Sequence, residues 1–264
     1  MLAAERRKKI FELIYEQNFV KVTDLSELFS VTEETIRRDL EKLEREHKIQ
    51  RQHGGAIKIP SVDQEIHFTE REILNVHEKR AIAYEALKFI QTGDKIILDA
   101  STTAWCLARF LPNIPLTVIT NSVQVVTELV DKNQIEIIST GGRYSAKSHS
   151  FVGPLAERSL ANYHVTKTFI SCKGVHLKHG VSDSSELQAL LKAEMLEHCD
   201  EAILLVDSSK INTHSFAQIA PLHKIHTIIC DENMDQNFKQ QATDLGIHIH
   251  TVTLPHNNIG YYGS

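Results

Sequence analysis

The sequence predicts an α/β domain, a parallel sheet covered by helices, preceded by a smaller winged helix-turn-helix domain. Two observations carry that reading. Over residues 5–46 apolar residues recur at helical spacing, and a short glycine-centred hairpin follows. From about residue 77, near-continuous apolar runs of strand length alternate with helical stretches. A length of 264 residues fits two unequal domains. The expected division is residues 1–59 for the helical domain, 60–76 for a linker, 77–255 for the α/β domain and 256–264 for a tail.

The first segment reads as three helices. Ile10, Leu13 and Ile14 give the first an inward stripe, with Arg6, Arg7, Lys8, Lys9 and Glu12 expected outside. Thr23 is the expected cap of a short second helix that turns Leu25, Leu28 and Phe29 inward. Thr32 caps the third, and Glu33 and Glu34 stand in its first turn, where the helix dipole favours acids. Ile36, Leu40 and Leu43 then form a narrow apolar stripe. Only Ser30-Val31 separates the second and third helices, so the two must cross sharply. Residues 49–52 and 56–59 read as two strands about His53-Gly54-Gly55, which is the wing. Pro60 to about Asn75 carries no sustained apolar face and reads as the linker.

Seven strands are expected at 96–100, 116–120, 135–139, 168–172, 202–207, 225–230 and 247–252. Helical stretches at 81–90, 103–111, 123–130 and 187–198 join several of them.

Composition narrows the function classes. Hydrophobic content of 42% and charged content of 24% describe an ordinary soluble globular chain. No apolar run approaches the ~20 residues that cross a bilayer, and no signal-peptide core follows Met1, so a cytoplasmic protein is expected. Cys106, Cys172, Cys199 and Cys230 are scattered singly without CxxC spacing, as buried reduced thiols would be. His176 with His179, and His248 with His250, are the closest approaches to a metal set; no Cys/His cluster completes either, and neither metal nor cofactor is expected. The net charge is −5, unevenly spread: residues 1–60 carry 12 Lys/Arg against 11 Asp/Glu, and the remainder carries 17 against 23. The first segment alone lacks a net repulsion from a nucleic acid.

Packing the third helix by its apolar stripe leaves Thr35, Arg37, Arg38 and Lys42 facing outward. Early residues of such a helix reach base edges in the major groove, where a guanidinium grips guanine O6 and N7 or clamps a phosphate. Arg51, His53 and Lys58 on the wing are placed to meet the flanking backbone or minor groove. Glu33–Arg37 and Glu34–Arg38 also satisfy the spacing of ordinary surface ion pairs, worth only about 0.2–0.5 kcal/mol each. Asp39 and Glu41 on the same helix are expected to be structural, or to reject wrong sites.

The stretch Val31-Thr32-Glu33-Glu34-Thr35-Ile36-Arg37-Arg38-Asp39-Leu40-Glu41-Lys42-Leu43, followed by Arg51-Gln52-His53-Gly54-Gly55-Ala56, resembles the N-terminal signature of the DeoR family of sugar-metabolism regulators. The resemblance implies double-stranded DNA as partner, a C-terminal domain sensing a sugar phosphate, and a homodimer or higher homo-oligomer.

In an open parallel sheet, ligands lie beyond the carboxyl ends of the strands, near a switch in strand order. The turns expected there are small and polar: 99–103, 120–122, 140–143, 173–174 and 207–210. Ser101, Thr102, Asn121, Gly142, Lys173 and Lys210 are the leading contacts for a phosphorylated ligand. Arg143 adds a further cation, and Asp99 or Asp207 is placed to accept sugar hydroxyls. Any single one of these turns is better explained as an ordinary helix cap than as a contact, but five converging on one edge are harder to dismiss.

The family resemblance extends through this half. Asp207-Ser208-Ser209-Lys210 is similar to its common sensor-domain motif, which implies a fold like that of ribose-phosphate isomerases. The run Leu98 to Arg109 narrows the resemblance to the L-fucose operon activator subgroup, implying fuculose 1-phosphate or a related ketose phosphate as effector. Lys173 stands where many relatives carry an acid, which disfavours an active isomerase. The competing reading is an enzyme, a sugar-phosphate isomerase or lyase with an appended helical domain. Asp99, Asp183 and Glu186 are its candidate acids and bases.

Overall fold

The structure is a computed structural model that describes residues 1–46, 48–58 and 65–254. Linker residues 60–64, Ile59, residue 255, the 256–264 tail and the Lys58 side chain fall outside that description. The chain divides into two units, Met1–Val62 and Asp63–Ser264.

In the first unit α1 (Ala3–Gln17) buries Ile10, Phe11 and Ile14. A three-residue strand, β1 (Phe19–Lys21), leads directly into α2 (Val22–Phe29), and α3 (Glu33–Arg45) follows. The wing is β2 (Ile49–Gln52) and β3 (Gly55–Lys58), and β3 lies between β1 and β2 in one antiparallel sheet. Two expectations for α2 are corrected. Thr23 is not its cap: the helix already starts at Val22, with Lys21 at the cap position, and the Val22 N–H donates to Gly54 O (2.8 Å), so the wing takes over the capping. Leu28 is 62% exposed, because the buried positions are Val22 and Leu25 and the stripe passes it by.

Gly55 makes the sheet possible. A Cβ there would stand 2.1 Å from Val20 O, so β1 and β3 approach closely only over a bare backbone. Gly54, at φ +76°, supplies the left-handed turn.

The second unit is built on seven parallel strands. In chain order they are β4 (Lys95–Leu98), β5 (Leu116–Thr120), β6 (Ile135–Ser139), β9 (Val165–Ile170), β12 (Cys199–Leu205), β14 (Thr227–Asp231) and β15 (His248–Val252). Their order in the sheet is β15-β14-β12-β9-β4-β5-β6. Successive side chains alternate between faces, so Ile97, Ile170 and Leu204 join one core while Ile96, Phe169 and Ile203 join the other. The first core is covered by α8 (Pro154–Leu160), α9 (Glu186–Glu197) and α10 (Gln236–Asp244); the second by α5 (Val76–Leu87), α6 (Thr102–Phe110) and α7 (Val123–Leu129). Two antiparallel additions sit outside this frame. One is the hairpin of β7 (Arg143–Ser145) with β8 (Ser150–Val152). The other is a small sheet of β10 (Gly174–His176), β11 (Gly180–Asp183) and β13 (Ala217–Ala220).

The span read as linker holds structure. Within it, α4 (Phe68–Arg71) buries Phe68, whose ring stacks on His149 (5.4 Å) and meets Trp105 edge-on (5.7 Å). A single aromatic docked by tertiary contact leaves no periodic signal.

Candidate functional site

The first unit presents the outer face of α3. Thr32 caps the helix by accepting from the Thr35 N–H (3.3 Å), and Thr35 Oγ1 lies 2.9 Å from Thr32 Oγ1. Ile36, Leu40 and Leu43 are sealed inward, which turns Arg37, Arg38 and Lys42 outward and exposed. Arg37 pairs with Glu33 (2.5 Å) and Arg38 with Glu34 (3.2 Å), both in solvent. Exposed pairs of this kind contribute about 0.2–0.5 kcal/mol, so either guanidinium can leave its glutamate for another acceptor at little cost. On the wing, Arg51 and His53 are exposed, and the Arg51 N–H donates to Glu44 Oε1 (3.0 Å).

What holds α3 at this angle is a buried ion cluster. Arg6 Nε donates to Asp39 Oδ2 (2.6 Å) and Arg7 donates to Asp39 Oδ1 (3.2 Å). The expectation that Arg6 lies outside is thereby corrected: it is buried, because Asp39 on α3 needs its charge met where α1 crosses.

In the second unit the strand order reverses between β4 and β9, which run outward to β6 and β15 respectively. Beyond β4 stands Asp99, fully buried. It accepts from the Ser101 N–H (3.1 Å) and the Ser171 N–H (3.0 Å), and its Oδ2 is 3.3 Å from Lys192 Nζ. Lys192 reaches up from α9 and also donates to Ser171 O (2.8 Å) and Asp183 Oδ2 (2.7 Å). Burial alone would lower this ammonium, but the Asp183 and Asp99 carboxylates hold it above the ordinary lysine value. Burial likewise works to raise Asp183, and Lys192 overrides it to hold the carboxyl below its usual range.

Lys210 lies beside this group, donating to Ser171 Oγ (2.9 Å) and standing 3.6 Å from Asp207. Asp207 also accepts from Asn75 Nδ2 (2.9 Å) and from Ser209. Lys79, buried on α5, donates to the carbonyls of Arg71 and Leu74. Burial, with Lys210 nearby, pushes its pKa down to about 7. Burial also lowers the Arg71 guanidinium and raises the Glu65 carboxyl.

Of the residues read from sequence, Asp99, Ser101, Thr102, Asn121 and Lys210 stand at the carboxyl ends of the central strands and their following turns. Ser101 Oγ is engaged as the cap of α6, accepting from the Ala104 N–H (3.0 Å). Gly142, at φ +116°, and Arg143 belong to the entry of the β7–β8 hairpin, and both are exposed. Lys173 is exposed too, its N–H donating to Ser182 O (2.9 Å). Sequence reasoning missed Arg71, Asn75, Lys79 and Lys192. His176 and His179 have ring centroids 4.8 Å apart, with His214 5.0 Å from His179. Among the described residues no group of three or more His, Cys, Asp or Glu is arranged to hold a metal ion, and no helix is long and apolar enough to cross a membrane.

Comparison with known proteins matches both units. Residues 6–62 match the DeoR-like helix-turn-helix domain, and residues 74–232 match the DeoR C terminal sensor domain. The chain is 54% identical over 254 residues to the uncharacterized HTH-type transcriptional regulator YulB of Bacillus subtilis, covering 96% of this chain and 98% of that one. It is 39% identical to the L-fucose operon activator of Haemophilus influenzae, covering 89% and 94%. Among solved structures, ribose 5-phosphate isomerase A from Methanocaldococcus jannaschii is similar over 50% of this chain and 53% of that one, at 20% identity and a TM-score of 0.38.

Proposed function

This chain belongs to the DeoR family of DNA-binding transcriptional regulators of sugar operons, and from that premise we propose how it reads DNA and what governs it. Arg37, Arg38, Thr35 and Lys42 enter the major groove, and Arg51, His53 and Lys58 follow the backbone beside it. A phosphorylated sugar occupies the crevice beyond β4, β5, β9 and β12, and two copies at least bind together, as two-fold recognition of DNA requires. The observation that carries the reading is the outer face of α3: exposed cations on a helix whose other face is sealed in the core. Because the Haemophilus influenzae relative is an L-fucose operon activator, fuculose 1-phosphate is the first effector to examine.

The second unit binds its sugar phosphate without converting it. Asp99 and Asp183, the carboxylates best placed for proton transfer, are both occupied by Lys192. Glu186 stands in the first turn of α9.

A gel-shift titration on DNA upstream of the sugar operon tests the reading. Arg37→Ala and Arg38→Ala each weaken binding by about 1–3 kcal/mol if they grip bases, or lower the salt slope by about 1 if they clamp phosphate. Unaltered binding in both variants removes α3 from the reading role. Turnover of any sugar phosphate by the purified chain would restore the isomerase or lyase reading.

A further inference from the structure

Two buried side-chain atoms among the described residues lack a hydrogen-bond partner, Arg71 Nε and Asn121 Oδ1. One is a donor and the other an acceptor. A buried polar group left in this state calls for an explanation, since nearly all find partners in a finished fold.

Asn121 cannot relieve its own deficit. Its Nδ2 donates to Phe151 O (3.0 Å), and turning the amide over would set oxygen against oxygen. Its backbone carbonyl is occupied as well, accepting from the Phe151 N–H (2.8 Å). The side-chain oxygen therefore awaits a hydrogen from outside the fold.

Arg71 is held with similar firmness. Its carbonyl is gripped by Lys79, and its guanidinium lies 5.7 Å from the ring of Phe68, which His149 and Trp105 fix in turn. The acids whose fields reach it are Asp183, Glu65 and Asp99. Asp183 and Asp99 are already committed to Lys192, and burial works against the Glu65 carboxylate, raising its pKa. Lys79, beside it, is spent on the Arg71 and Leu74 carbonyls.

The two atoms serve one edge of the sheet. Asn121 follows β5, which is hydrogen-bonded directly to β4, and β4 ends at Asp99. Neighbouring strands lie about 4.8 Å apart, so a molecule of sugar size spans both.

We propose that Arg71 and Asn121 are the fixed donor and fixed acceptor of the effector subsite, Arg71 taking the phosphate and Asn121 a sugar hydroxyl. The assignment rests on the sugar-phosphate reading above and names the groups that enforce it. A hydroxylated anion of sugar size satisfies both atoms at once; inorganic phosphate has no carbon chain to carry a hydroxyl away from its charge and satisfies one. Arg71 also stands in residues 65–75, the stretch that follows the junction between the two units.

Calorimetric titration of the full chain separates the possibilities, with inorganic phosphate and with fuculose 1-phosphate alongside a set of hexose and pentose phosphates. Arg71→Lys keeps the charge but removes the planar fork, and it should weaken both kinds of ligand about tenfold or more. Asn121→Ala should weaken the sugar phosphate at least five times more than it weakens inorganic phosphate. Melting of each unliganded variant confirms that it is folded, and Arg71→Met replaces the lysine variant if that one is not. Wild-type affinities in both variants would overturn this assignment while leaving the effector reading in place. Failure of the wild type to bind phosphate or any sugar phosphate would overturn both.

Discussion

Asp39→Ala should uncouple the DNA-reading unit without touching the sensor. Asp39 is buried and accepts from Arg6 (2.6 Å) and Arg7 (3.2 Å). Removing it strands two cations unequally. Arg7 keeps 20% side-chain exposure and can turn to water, whereas Arg6 keeps 10% and cannot without unpacking α1 from α3. Breaking a buried pair from one side costs about 3–5 kcal/mol, and with one of the two cations free to escape the lower figure applies. The unit spans Met1–Val62, and domains hold roughly 0.05–0.15 kcal/mol per residue, so its whole stability is about 3–9 kcal/mol. The substitution thus removes a third of that stability or all of it.

The chain's single tryptophan, Trp105 on α6, makes the assay direct. Its fluorescence follows the second unit alone, while circular dichroism follows both. With a urea slope of about 1–1.5 kcal/mol/M for a unit this small, a loss of ~3 kcal/mol brings the dichroism midpoint of the first unit down by about 2–3 M. The Trp105 transition stays where it was. Asp39→Asn, which keeps one acceptor, falls between, and a double Arg6→Met, Asp39→Met variant recovers much of the loss because apolar packing replaces the cluster. Superimposable dichroism curves for wild type and Asp39→Ala would show that the cluster contributes nothing to the unit.

Gly55→Ala places a Cβ 2.1 Å from Val20 O, so β1 must leave β3 and the Val22 N–H loses Gly54 O; DNA affinity should fall at least tenfold in a gel shift, while Gly54→Asn, tolerant of positive φ, falls far less. Lys79, with a folded pKa of about 7 against about 10.4 unfolded, leaves the folded chain holding fewer protons than the unfolded one between those values. Stability of the second unit therefore rises with pH from 7 to about 8.5, by up to ~1.4 kcal/mol per pH unit, relative to Lys79→Met measured alongside it. The wild type's own curve turns over above about 8.5, because burial raises the thiols of Cys106 to about 11 and Cys172 to about 12 and the unfolded chain then loses those protons first. The variant shares the thiols, so the difference between the two keeps rising to about 10.4. A wild-type curve parallel to that of the variant between pH 7 and 8.5 would refute the assignment to Lys79.

Much of the architecture is legible in the sequence because it rests on local signals. Thr32 with its following acids marks α3, Gly54-Gly55 marks the wing, and the five inner parallel strands carry apolar runs because both of their faces are buried, whereas the edge strands β6 and β15 are partly exposed. Strand ends are less legible. The run Phe169-Ile170-Ser171-Cys172 reads as strand to its end, but the ladder stops at Ile170, where the Ser171 N–H turns to Asp99 instead. Strand β1 and the β10–β11–β13 sheet are too short to carry a period of their own, and pairing with distant partners decides them.

Two of the site residues that escaped, Lys79 and Lys192, share one physical trait with Asp39, and the trait is visible in the sequence once sought. Asp39 falls in phase with Ile36, Leu40 and Leu43; Lys79 with Ile82, Ala83 and Ala86; Lys192 with Ala189, Met195 and Leu196. Each is a charge on the buried stripe of its helix, one turn from apolar neighbours that must face the core. A buried charge survives only beside a partner, so each such position announces a counter-charge or acceptor elsewhere in the chain without saying where. The partner lies far along the sequence for Asp39, at Arg6; Lys192 has one far, Asp99, and one near, Asp183; and Lys79 has one eight residues away, at the Arg71 carbonyl. That last link draws a stretch read as linker into the crevice, and it is why Arg71, whose own surroundings are polar, stands among the strand-end groups of the sheet.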